Sequence, residues 1–193
     1  MMTLEIRRLA SDVATLLGES LAEECRPEES PFPGMEERVR LLAPAILSRL
    51  ITETPVDSLG EGKPLLASPR INNEGVVTIT LPDDFLRLIA VRMSDWDVCL
   101  SRIIREGDQH FDCLKSKRAA IRGTPRRPAA SVSFDEEGRQ CLRLYSSDLD
   151  ASLLTARYMP LPEVSSDDTI DIPPLLYPPL IEAICQKVTP SVI

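Results

Sequence analysis

Val76 to Met93 reads VVTITLPDDFLRLIAVRM, and two strands stand out in it. Val76 to Leu81 is rich in β-branched residues and is bounded by Gly75 and Pro82, which is how a strand announces itself. Leu86 to Met93 is apolar with Arg87 and Arg92 set into it and reads as a second strand. Asp83 and Asp84 follow the proline and mark a short turn between the two.

Further along the chain, Val98 to Ile104 is expected to be a third strand and Asp108 to Ala120 a short helix. Arg122-Gly123-Thr124-Pro125 is a turn. Ala129 to Phe134 and Cys141 to Tyr145 flank Asp135-Glu136-Glu137-Gly138, the pattern of a β-hairpin. Leu153 to Tyr158 is one more strand, and Pro160 to Asp171 reads as a loop. A final helix is expected from Pro174 or Pro178, since proline fits a first helical turn. Its apolar stripe is Leu180, Ile181, Ile184, Cys185 and Val188.

On the N-terminal side the pattern is helical. Residues 3–24 place Ile6, Leu9, Val13, Leu16, Leu17 and Leu21 at helical spacing. Pro27, Pro31 and Pro33 make 26–34 a loop. A second helix over 35–51 carries Met35, Val39, Leu42, Ile46 and Leu50 on one face, with Glu36 and Glu37 well placed against the dipole of its first turn. Two helices joined this closely are expected to pair antiparallel. Residues 52–73, with Pro55, Gly60, Gly62, Pro64 and Pro69, deny any long regular element and form the best internal boundary. The expected fold class is therefore α+β: an antiparallel helical hairpin over 1–51, a linker loop over 52–73, and a mostly antiparallel β-platform over 74–193. That platform includes the short helix and the C-terminal helix, and the whole forms one compact unit.

The 193 residues suffice for a buried core without covalent staples. Aromatic residues are 4% of the chain, so the core is expected to be aliphatic. The net charge of −8 repels phosphate backbones and argues against duplex binding by the whole surface. Five cysteines at scattered spacings (Cys25, Cys99, Cys113, Cys141, Cys185) fit neither a disulfide framework nor a zinc site and read as reduced, mostly buried thiols. Neither a signal-peptide core nor an apolar run near 20 residues is visible, so the expectation is a cytoplasmic chain without a membrane span.

Chemistry-bearing residues are few. His110 is the single histidine, and in its polar setting it reads as exposed and structural. Asp83 and Asp84 could hold a cation or do acid–base work, but their plainer role is to cap the first turn of a short helix. Asp167, Asp168 and Asp171 also read as caps rather than a cation site. Lys115, Lys117, Arg118, Arg122, Arg126 and Arg127 form the basic cluster. It is a candidate partner-contact patch, weighed against a plain solvated helix face, and without interleaved aromatics it lacks the means for base stacking. No phosphate loop or dinucleotide fingerprint is present. No catalytic residue, cofactor or metal is expected, and the chain reads as a non-enzyme.

Several segments in order carry a resemblance: Ile79-Thr80-Leu81-Pro82-Asp83-Asp84-Phe85-Leu86-Arg87-Leu88, Arg122-Gly123-Thr124-Pro125, Leu142-Arg143-Leu144-Tyr145, Ala156-Arg157-Tyr158-Met159-Pro160 and Asp171-Ile172-Pro173-Pro174-Leu175-Leu176-Tyr177. The succession, over roughly 76–188, resembles the head-to-tail adaptor proteins of short-tailed bacteriophages, the tail tubular A type. The 52–73 linker and the short stretch after Val188 depart from that pattern. The resemblance implies a helical part plus a β-rich platform in a structural virion protein, a connector assembled in the bacterial cytoplasm. It would be a monomer alone and form a homo-oligomeric ring on docking between portal protein and tail proteins, without membrane or sequence-specific nucleic acid. The alternative is a non-enzymatic protein–protein binding module that uses the helical hairpin. An enzyme using Asp83, Asp84 and His110 would need those side chains in one cleft.

Overall fold

The residues described by the computed structural model are 1–18, 34–66, 68–105, 107–114, 116, 118–135, 137–145 and 147–188. They form a mixed α and β fold with antiparallel sheets, as the sequence implies. They divide into two compact units, one made of Met1–Gly60 with Leu161–Ile193 and the other of Glu61–Pro160.

In the helical unit, β1 (Met2–Glu5) leads into α1 (Ile6–Leu17). The expected helix over 3–24 thus starts later, and its residues 19–24 lie outside the described set, as do Cys25 and the expected loop residues 26–33. Ile6, Leu9, Ala10, Val13 and Ala14 are buried, while Leu16 is 59% exposed. α2 (Met35–Glu53) buries Val39, Ala43, Ile46, Leu47 and Ile51. It continues through Pro44, whose missing N–H costs one backbone bond. The Ser48 hydroxyl donates to the Pro44 carbonyl at 2.9 Å. A single 3₁₀ turn, Val56–Ser58, follows. β9 (Thr169–Ile172) and a second 3₁₀ turn, Pro174–Leu176, precede α5 (Tyr177–Val188), which buries Leu180, Ile184 and Cys185. The helices α1, α2 and α5 contact one another pairwise.

Of the loop expected over 160–171, residues 161–168 are irregular but 169–171 are strand, and 161–193 do not belong to the single platform expected over 74–193. Thr169-Ile-Asp-Ile alternates, with Ile170 and Ile172 buried. It pairs antiparallel with β1 in the register Met2↔Ile172 and Leu4↔Ile170. That ladder, together with the packing of α5, draws 161–193 into the helical unit. The boundary at Gly60 does fall inside the 52–73 stretch, but that stretch is not bare linker: Leu59 and Leu65 are 2% and 7% exposed and lie in the cores.

The β unit holds two sheets. One has the order β2 (Lys63–Pro64), β8 (Leu153–Pro160), β5 (Phe85–Met93). The other has the order β3 (Arg70–Ile71), β4 (Val76–Thr80), β7 (Gln140–Tyr145), β6 (Ala129–Phe134). The opening segment 76–93 therefore spans a corner, since β4 and β5 belong to different sheets and Pro82–Asp84 carries the chain across. Strand alternation puts Val77, Ile79, Leu142, Leu144 and Ala130 on the inner face of the four-stranded sheet. They share one core with Leu88, Val91, Met93, Ala156 and Tyr158 of the three-stranded sheet. Trp96, 1% exposed, is among the largest fully buried side chains there, so the core is less purely aliphatic than the composition suggests. Bulges in β5 between Leu88 and Ala90 let the consecutive Leu88 and Ile89 both be buried.

Residues 98–104 do not form the expected strand. Leu100 exchanges two 2.8 Å hydrogen bonds with Val91 on the β5 edge, and the Ile104 N–H donates to Ala130 on the β6 edge at 2.8 Å. The segment changes sheets within four residues, so it caps two edges instead of extending one. The expected helix over 108–120 is likewise two single turns, α3 (Phe111–Leu114) and α4 (Ala119–Arg122). On the outer face of the four-stranded sheet, Val76, Tyr145 and Ala129 align in register and are covered by Leu114. Among the described residues no helix is long and apolar enough to cross a membrane.

Candidate functional site

The residues singled out from sequence scatter. His110 is exposed, and its carbonyl accepts the Cys113 N–H at 3.1 Å. No hydrogen bond or ion pair among the described residues joins it to Asp83 or Asp84. Asp83 is exposed in the turn. Asp84 caps no helix, because the chain runs straight from this turn into β5. Instead it clasps the three-stranded sheet: the Tyr158 hydroxyl donates to its Oδ1 at 2.8 Å, and Lys63 Nζ lies 3.5 Å from its Oδ2. Burial, aided by Asp84, pushes the Tyr158 phenol up to about 12.

The helical unit repeats the motif. Tyr177 of α5 donates its hydroxyl to the Asp12 carboxylate on α1. Burial first, then that carboxylate, push its phenol up to about 12 as well. Asp168 does act near a helix start, but for α1 and through its backbone: its carbonyl accepts the Ile6 N–H at 2.9 Å. Its side chain pairs with Arg40 of α2 at 2.8 Å. Asp171 accepts the Thr3 hydroxyl at 2.6 Å, and Asp167 is exposed. No set of three or more metal-ligating side chains occurs among the described residues.

The basic cluster is not a single open patch. Lys115 and Lys117 lie outside the described residues. Arg122 is 6% exposed, with Nη1 at 3.1 Å from Glu74 Oε2 and Nη2 donating to the Glu74 carbonyl at 2.8 Å. It pins the β3–β4 turn, and a guanidinium so enclosed offers nothing to a partner, which removes it from the patch. Arg126 sits 3.5 Å from Asp97 while 88% exposed, a weak solvent-screened pair. Arg118 and Arg127 are exposed. Of the described cysteines, Cys141 and Cys185 are buried, Cys113 is partly so and Cys99 is exposed. Burial raises the Cys185 thiol, which keeps it protonated and unreactive.

Sequence reasoning missed two things. One is the pair of tyrosine–aspartate clasps, whose partners are 74 and 165 residues apart. The other is a polar row on the outer face of the four-stranded sheet. Arg70 pairs with Thr78, Thr78 with Arg143, and Arg143 with Ser131. An open cavity of about 440 Å³ lies over it. Only the register reveals this row; in sequence, Arg70 and Arg143 are ordinary polar-face residues of separate strands.

A scan of family models finds no match to the chain, and no curated protein matches it.

Proposed function

We propose that the chain is a structural protein of a phage or prophage particle, a head–tail connector whose copies form a ring between portal and tail. The observation that supports this reading is the division of the chain. A helical unit built from 1–60 and 161–193 is interrupted in sequence by a β unit, 61–160, whose strand ladders are antiparallel. A helical part with a β-rich platform is what the resemblance over 76–188 implies. Exposed apolar side chains on the helices, Leu16 at 59% and Leu41 at 68%, offer contact surface for neighbouring copies or the portal.

Mass spectrometry of purified particles released by the encoding host tests this directly. Peptides of this chain at several copies per particle are expected; their absence from intact tailed particles overturns the reading. Light scattering should find a monomer alone and a ring only after a portal assembly is added.

The same Leu16 and Leu41 favour a second reading, a non-enzymatic binding module that uses α1 and α2. The double variant Leu16→Gln and Leu41→Gln separates the two. A module loses its partner with the fold intact while the chain is absent from particles. A connector is found in particles, and the variant impairs their assembly.

A further inference from the structure

The outer row of the four-stranded sheet points to a ligand independently of the connector reading. Neighbouring strands lie about 4.8 Å apart, so the Arg70 and Arg143 backbones are separated by roughly 9.6 Å with Thr78 between them. Residues in one cross-strand row share a face, and an arginine side chain is long enough for both guanidiniums to reach the space above Thr78. Both arginines are exposed, and neither has an acidic partner among the described residues. Other arginines of this unit do: Arg122 with Glu74, Arg126 with Asp97, Arg139 with Asp135 and Arg157 with Glu61.

Asp135 lines the same cavity, but its carboxylate is already engaged. It accepts the backbone N–H groups of Glu137 and Arg139 at 3.0 and 2.8 Å and the Arg139 Nε–H at 2.9 Å. Those bonds, the Arg139 backbone one foremost, hold its carboxyl below the usual range. Phe134, 67% exposed, forms another wall of the cavity. In a chain of net charge −8, two cations in one row without an acid partner are a local reversal of sign.

We propose that this row binds a phosphate group, held between the Arg70 and Arg143 guanidiniums with the Thr78 hydroxyl donating to a third oxygen. Two forked donors and a hydroxyl supply more hydrogen bonds than a carboxylate's two oxygens need, and they match the three free oxygens of a phosphate monoester. The phosphate arrives either as the free ion or on a small organic body that rests against Phe134.

Titration of the ¹⁵N-labelled full chain with inorganic phosphate, AMP and adenosine, each against sodium chloride at matched ionic strength, tests the site by NMR. Saturable shifts centred on Thr78 and Arg143 are expected with phosphate and AMP but not with adenosine. Arg70→Gln or Arg143→Gln should each weaken binding roughly tenfold, the loss of one charge-assisted fork. Arg126→Gln should leave it unchanged. Tighter binding of AMP than of phosphate, with the difference abolished by Phe134→Ala, identifies an organic phosphate as the ligand; equal affinity identifies the free ion. Shifts reproduced by sodium chloride overturn the proposal. So does undiminished affinity in both arginine variants, once circular dichroism shows them folded.

Discussion

The β unit is one unbroken run, residues 61–160, whereas the helical unit is assembled from both flanks of that run. In the β unit the β6–β7 hairpin pairs residues only a few positions apart, Phe134 with Gln140. In the helical unit the β1–β9 ladder joins Glu5 to Thr169, so nothing local rewards its formation until the intervening chain is placed. The two halves nevertheless use one kind of clasp, a tyrosine hydroxyl on a carboxylate, to tie elements far apart in sequence. The contrast teaches that contiguity in sequence, more than the type of secondary structure, separates the part of this protein that can form early from the part that must wait.

The sharpest way to break this division is to hollow out each core in turn. Trp96→Ala should cost about 3–5 kcal/mol and Leu9→Ala about 2–5 kcal/mol, since both side chains are fully buried. Hydrogen-exchange mass spectrometry should show protection lost mainly across 61–160 in the first variant and across 1–60 and 161–193 in the second. Equal loss everywhere in both would falsify the two-unit description.

Glycines sharpen it at a smaller scale. Gly75, at φ +71°, would place a Cβ 2.5 Å from the Ser147 carbonyl oxygen, while Gly18, at φ +72°, faces open space. Gly75→Ala is therefore expected to cost about 2–3 kcal/mol and Gly18→Ala about 1 kcal/mol. Urea unfolding of the two variants reads the difference, and similar costs would mean that the close approach at Gly75 relaxes freely.

The tyrosine clasps make the two units comparable. Each phenol is raised in the folded chain to about 12, above the ordinary value near 10. The stabilisation is thus fully present below about pH 10 and is lost as pH climbs through 12. Tyr158→Phe and Tyr177→Phe should each cost about 1–2 kcal/mol at neutral pH and flatten the alkaline limb of the stability curve. Unfolding curves measured across that pH range check both variants. A flattened limb in only one would show that the clasps are not equivalent.

The smallest effect is expected at Asp168, which holds φ +61° and an Arg40 pair that is partly exposed. Asp168→Gly relieves the backbone while losing the pair and should change stability by less than about 1 kcal/mol. Thermal unfolding reads this, and a larger loss would show that the ion pair fixes the start of α1.

How much of this was legible follows the same line. The strands over 76–80, 85–93, 129–134, 140–145 and 153–160 and the helices over 35–53 and 177–188 have local periodicity and were readable from it. β1 and β9 have four residues each and find their partner only across the whole chain, so one looked like the start of a helix and the other like loop. Residues 98–104 have strand composition but serve two sheet edges, which no local pattern encodes. The basic cluster looked continuous in sequence, yet Arg122 turns inward to Glu74. The Arg70–Thr78–Arg143 row was invisible because it exists only once β3, β4 and β7 are in register.

The first and last strands of the β unit, β2 and β8, pair with each other, Lys63 opposite Tyr158 and Pro64 opposite Arg157. The two points where the chain crosses into and out of that unit are therefore brought close together within it. Such a cassette lends itself to excision: a few flexible residues joining Gly60 to Leu161 would bridge the gap, leaving the remainder of the chain to be tested as a stand-alone miniprotein. The removed piece could equally be grafted onto an unrelated scaffold by a single two-stranded stem.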